Sequence, residues 1–135
     1  MKTSIVIAES ATIHPDSTVS MLRGGVNMFQ IPPKTRPIVL RATLVAWTRT
    51  GSGEKGKFPV RLAVQKRNGE VLPIPPFESE IEIGAEYGTH AMHVDFGLAI
   101  PEPGLYKLVW TVDGKCNDEY PFSVVETPPS AEAKK

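Results

Sequence analysis

Seven consecutive residues, Gly51-Ser52-Gly53-Glu54-Lys55-Gly56-Lys57, carry the strongest hint of chemistry in this chain. They satisfy the opening of the phosphate-loop pattern G-x-x-x-x-G-K and follow a predicted strand. In a working loop of that kind, backbone amides at a helix start cradle the phosphate, and the next residue is a Ser or Thr that holds magnesium. Here the next residue is Phe58, and Phe58-Pro59-Val60 opens a strand rather than a helix. The stretch is therefore expected to be a mobile hairpin loop. Its Lys55 and Lys57, with Trp47 at the end of the preceding strand, form the surface best suited to an acidic protein partner.

The remaining reactive side chains do not converge. His90 and His93 are three apart, which on a strand places them on opposite faces and prevents a shared metal without a bulge. His93 and Asp95 share a face, opposite Met92, Val94 and Phe96, and are expected to be an exposed polar pair. Cys116 sits in Gly114-Lys115-Cys116-Asn117-Asp118, where Lys115 favours thiolate. No histidine is near it in sequence and no strand-turn-helix elbow presents it. Asp113, Asp118 and Glu119 bracket the same turn without the spacing of a calcium loop. The sequence therefore calls for no catalytic residue, no metal and no cofactor.

Composition narrows the partners. Acids and bases balance at 15 each, so no global field draws in nucleic acid or an anionic membrane. The charge is unevenly spread, however. Arg36, Arg41, Arg49, Lys55, Lys57, Arg61, Lys66 and Arg67 make the middle basic, while Glu78-Glu80-Glu82 and Asp118-Glu119 make later parts acidic. Such polarity suits electrostatically guided binding to another protein. The lone Cys116 rules out an internal disulfide, no apolar run is long enough for a membrane-spanning helix, and the start makes a poor secretory signal. A cytoplasmic location is the default expectation.

The elements that must position these residues are strands. Thirteen prolines argue for short strands joined by rigid turns. Tyr106, Leu108, Trp110 and Val112 alternate with Lys107, Val109 and Thr111, between a Pro-Glu-Pro-Gly turn and an Asp113-Gly114 turn. Ser4–Ala8, Thr18–Arg23, Phe58–Gln65, Glu78–Ile83, Ala91–Ile100 and Tyr120–Val125 read as further strands, and Arg36–Thr48 as the longest. Gly24-Gly25 marks a bulge or bend, after which Val26–Ile31 continues the second strand. In Arg36–Thr48, Ile38, Leu40, Ala42, Leu44 and Ala46 face inward. Leu72–Pro76 is an extended crossing or an edge that cannot donate a regular ladder. Glu78, Glu80 and Glu82 line up toward water, a device against edge-to-edge pairing. The predicted fold is all-β: a single antiparallel Greek-key sandwich of seven to eight strands over residues 1–126, with Tyr106 in the corner position and a disordered tail at 127–135.

The strand SIVIAESATI, the glycine pair after STVSMLR, the proline-led long strand and FGLAIPEPGLY with VDG resemble a family of small bacterial proteins catalogued as a domain of unknown function. The resemblance spans about Thr3 to Glu126 and is weakest in the Gly51–Lys57 loop. It implies an immunoglobulin-like β-sandwich and brings no catalytic or binding residues with it. The expected function is a non-catalytic protein-binding or scaffold module. The alternative is a carbohydrate- or small-ligand-binding sandwich, which would expose Trp47 and Tyr87 together.

Overall fold

The computed structural model describes residues 1–34, 36–84 and 87–127. These residues include no helix and form ten strands. These are β1 (Lys2–Ala8), β2 (Ser10–Ile13), β3 (Val19–Leu22), β4 (Met28–Ile31), β5 (Ile38–Arg49), β6 (Gly56–Lys66), β7 (Phe77–Ile83), β8 (Thr89–Ile100), β9 (Gly104–Val112) and β10 (Lys115–Glu126). They make a three-stranded sheet ordered β1-β5-β8, a five-stranded sheet ordered β4-β10-β9-β6-β7, and a separate β2-β3 hairpin.

Local chemistry explains the clearest elements. Tyr106, Leu108, Trp110 and Val112 are all buried on one face of β9, as their alternation predicts. β9 and β10 are joined by Asp113-Gly114 alone, both at positive φ (51° and 81°). A two-residue hairpin turn demands that conformation because its twist matches the flanking strands. Before β9, the Tyr106 hydroxyl donates to the Glu102 carbonyl and pins the Pro101–Pro103 turn to the core. The two larger sheets share that core. Ile5, Ile7, Leu40, Leu44 and Ala46 come from the smaller sheet, and Val60, Leu62, Ile81, Leu108, Trp110, Phe122 and Val124 from the larger. Each Val, Leu, Ile or Phe among them contributes roughly 1.5–3 kcal/mol by leaving water.

Several expectations are corrected. The sheets are three rather than two, and one pair, β4 with β10, is parallel. Gly24-Gly25 is not a bulge within one strand. β3 belongs to the hairpin and β4 to the larger sheet, and the chain crosses between them where the Gly25 and Val26 amides both bond Ile7 O (2.8 and 2.9 Å). The SIVIAESATI strand is two strands: β1 ends at Ala8 in the smaller sheet, and Ser10–Ile13 is β2 of the hairpin. Gly51–Lys57 is no hairpin loop, since it carries the chain from β5 in one sheet to β6 in the other. Of the predicted tail, Thr127 donates its amide to Ile31 O (2.8 Å), and residues 128–135 lie outside the described residues.

The charge blocks also meet. β6 and β7 pair in a register that sets Lys57 opposite Glu82 and Arg61 opposite Glu78, with charge separations of 4.0 and 3.9 Å. Two of the basic residues, Lys57 and Arg61, thus interleave with the acidic row on one exposed face instead of standing apart from it. Cross-strand pairing of opposite charge is the sheet's ordinary stabilising contact.

Candidate functional site

The two larger sheets have four edges, and an unpaired edge is a template for another chain. Three of them are protected in different ways. β7 carries the exposed row Glu78, Glu80 and Glu82. β4 is only four residues long. β1 is covered by side chains of β10: the register of β10 against β9 shifts between Cys116 and Asp118, and this bulge turns Asn117 and Asp118 over β1. The Thr3 amide donates to Asn117 Oδ1, and the Ile5 amide donates to Asp118 Oδ2 at 2.8 Å. Further along, the Ile7 carbonyl takes the Gly25 and Val26 amides.

The fourth edge, β8, has no such cover among the described residues. Its whole length, Thr89–Ile100, pairs with β5 on one side and with no strand on the other. The alternation follows from β1. Thr3 and Ile5 point away from β5, so their partners Thr48 and Ala46 turn their backbone groups to β8. The Thr50 amide, bonded to Gly88 O at 2.9 Å, keeps the same parity. The outward backbone groups of β8 are therefore those of Thr89, Ala91, His93, Asp95, Gly97 and Ala99. Among the described residues, no strand pairing and no backbone bond in turns or loops engages them. Their side chains are small apart from His93 and Asp95, and only Ala91 among them is less than exposed. Near Gly97 and Ala99 a cavity of about 460 Å³ separates the edge from Pro73-Ile74-Pro75. The proline segment indeed forms no ladder of its own, beyond the nearby Gln65–Val71 bridge.

A second feature lies on the outer face of the smaller sheet. The β2-β3 hairpin folds across it, which buries Thr43 and Val45 on the face that alternation assigned to water. Between hairpin and sheet is a cleft of about 450 Å³ lined by Val6, Val19, Met21, Val45 and Trp47, with Asp16 at its border. Trp47 is half-buried, not free as expected. Its Nε1–H donates to Ser17 O (3.1 Å), and the Arg49 guanidinium lies 5.6 Å from its ring centre. Tyr87 is 75% exposed, so the two aromatics do not stand open together.

The predicted binding residues are not gathered in one place. Lys55 and Lys57 are exposed, but Lys57 belongs to the larger sheet and faces Glu82, whereas Trp47 sits under the hairpin. Glu54 braces their loop: it accepts the Met1 ammonium at 2.6 Å and the Gly51 amide at 2.9 Å. Those bonds, the ammonium's first, hold its carboxyl below the usual range. His93 and Asp95 do share the outer face, 3.8 Å apart, with Asp95 also accepting the Thr43 hydroxyl (2.7 Å). His90 faces inward; burial lowers its pKa, and its Nδ1 has no hydrogen-bond partner. Cys116 is exposed at the start of β10, in the other sheet.

Residues 3–125 match the model of a family of unknown function (DUF6941). The chain belongs to that family. No curated protein matches it. Membership agrees with the resemblance read from SIVIAESATI and FGLAIPEPGLY, and it assigns no active site. No helix among the described residues is long and apolar enough to cross a membrane. The β8 edge had escaped sequence reasoning, because alternation is the same in an edge strand and a central one. One signal was present: Ala91–Ile100 lacks the row of glutamates that guards Glu78–Ile83, and it holds no lysine or proline.

Proposed function

We propose that this member of the family is a non-catalytic module that binds protein chains by accepting an additional strand along β8. The observation that carries this reading is the contrast among edges. A fold that covers β1 with a bulge, shortens β4 and charges β7 leaves the twelve-residue β8 unguarded. Natural sheets blunt edges to prevent pairing, so the one left bare is the one available for it. Main-chain bonds supply the affinity in this mode, and side chains flanking the edge supply the choice of partner. The module reading includes a cytoplasmic setting, in keeping with the single exposed thiol of Cys116.

We read the scaffold as an immunoglobulin-like Greek-key sandwich. The order β1-β5-β8 against β4-β10-β9-β6-β7, with the short β4 parallel to the last strand, supports it. So does the Tyr106 hydroxyl bonded back to Glu102 O.

The test is a double variant, Ala91→Pro with Gly97→Pro. Both residues turn their N–H outward, so the monomer loses no ladder bond, while an added strand loses two donors. Protein partners captured by the native chain should be lost from a variant with an unchanged circular dichroism spectrum. Equal capture by both proteins refutes the reading. The cleft over Val45 and Trp47 favours a second reading, a site for a small apolar ligand. Trp47 emission should then respond to apolar probes in the native chain and not after Val19→Trp fills the cleft.

A further inference from the structure

We infer that the strand accepted by β8 is, in one of its uses, β8 of a second copy of this chain, paired antiparallel about a two-fold axis at Val94. This rests on the reading of β8 as an acceptor and adds the identity of the partner. The outward-facing residues Thr89, Ala91, His93, Asp95, Gly97 and Ala99 are symmetric in spacing about Val94. Pairing two copies there sets His93 against Asp95 of the second copy, Ala91 against Gly97, and Thr89 against Ala99. Each pair exchanges two backbone hydrogen bonds, roughly twelve in all.

Both faces agree with this register. On the outer face the His93 imidazole meets the Asp95 carboxylate, a hydrogen-bonding match of ring nitrogen and oxygen, and every other pair is small. On the inner face Met92 falls opposite Phe96 of the second copy, and Val94 opposite Val94. All three are partly buried apolar residues that flank the core at this margin, so pairing would withdraw them further from water. Methionine sulfur against an aromatic ring is itself a favourable contact. Slipping by two residues in one direction sets Asp95 against Asp95, and in the other sets His93 against His93. Two carboxylates directly opposite are destabilising, and in the other register each Asp95 falls opposite Ala91 and loses its imidazole partner. The edge is therefore complementary to itself in one register and not in its neighbours. Gly97 adds a practical point: a Cβ built there meets nothing within 4 Å, so the position accepts substitution without disturbing the monomer.

The experiment uses the full chain. Sedimentation velocity over a concentration series is expected to show a monomer–dimer equilibrium. His93→Asp, which places carboxylates opposite each other at two symmetric positions, should weaken it roughly tenfold. In a Cys116→Ser background, Ala91→Cys with Gly97→Cys should give a disulfide-linked dimer on mild oxidation, since directly opposed residues lie within disulfide reach. A dimer that neither links at these positions nor weakens with His93→Asp overturns the register and the inference. Amide exchange separates the remaining outcomes. A chain that stays monomeric while the amides of Ala91, His93, Asp95 and Gly97 exchange freely overturns the second copy but leaves β8 an open acceptor. A monomer in which those amides are protected overturns both.

Discussion

The brace between β10 and β1 offers the sharpest test of how this fold is held together. Asp118 Oδ2 accepts the Ile5 amide at 2.8 Å, and its other oxygen accepts the Glu119 amide at 2.9 Å. Ile5 is only 5% exposed, so water cannot readily replace the carboxylate. Asp118→Ala leaves the Ile5 N–H buried without an acceptor. That desolvation, with loss of a bond to a charged group, costs about 2 kcal/mol. In a chain of 135 residues it lowers the melting temperature by about 6–10 °C. Asp118→Asn keeps a carbonyl oxygen in reach and loses only the charge assistance, so about 1 kcal/mol is expected. Urea unfolding reports both values through the emission of Trp110, which is fully buried in the native state. Amide exchange at Ile5 should accelerate selectively in the alanine variant. If Asp118→Ala loses less than about 0.5 kcal/mol and the Ile5 amide exchanges as before, the brace is not what covers the β1 edge, and β8 no longer differs from β1 by lacking such a cover.

Further outcomes follow from single contacts. Tyr106→Phe removes the bond to Glu102 O while keeping the ring stacked on Phe122 (centroids 5.7 Å apart), and should lose about 1–2 kcal/mol in the same unfolding assay. Leu44→Ala opens a cavity where the side chain is wholly buried, with an expected loss of about 2–5 kcal/mol. His90, whose pKa is lowered by burial, binds its proton less readily folded than unfolded. Stability from this group is therefore complete above its unfolded value near 6.5 and declines as pH falls below that, until the folded pKa is passed. His90→Leu should flatten the fall in denaturation midpoint between pH 7.5 and pH 5.5, and an unchanged slope would assign the pH dependence elsewhere. Trp47→Phe drops the bond to Ser17 O and should speed amide exchange in β3 without changing the main unfolding transition.

Much of this molecule was written in short-range pattern. The alternation from Tyr106 to Val112, bounded by Pro101-Glu102-Pro103-Gly104 and Asp113-Gly114, fixed a strand, its buried face and its hairpin, because side-chain direction on a strand repeats every two residues and a two-residue turn needs residues that tolerate positive φ. The same pattern placed Trp110 in the core, set His93 and Asp95 together, and turned Glu78, Glu80 and Glu82 to water. Family membership was legible from whole-chain motifs.

Tertiary structure decided which strands are neighbours. Thr43 and Val45 alternate like solvent-facing residues and are buried because a hairpin twenty to thirty residues earlier, roughly, folds over them. Lys57 and Glu82 look like parts of opposed charge blocks until the register joins them. Asn117 and Asp118 look like turn residues, and they become the cover of a strand at the other end of the chain. Above all, an edge is a relation between strands: β7 and β8 are consecutive in sequence, yet each ends a different sheet. Alternation along one strand records which face is buried. It does not record whether a hydrogen-bonding partner stands on either side, and among the described residues no strand stands beyond β8.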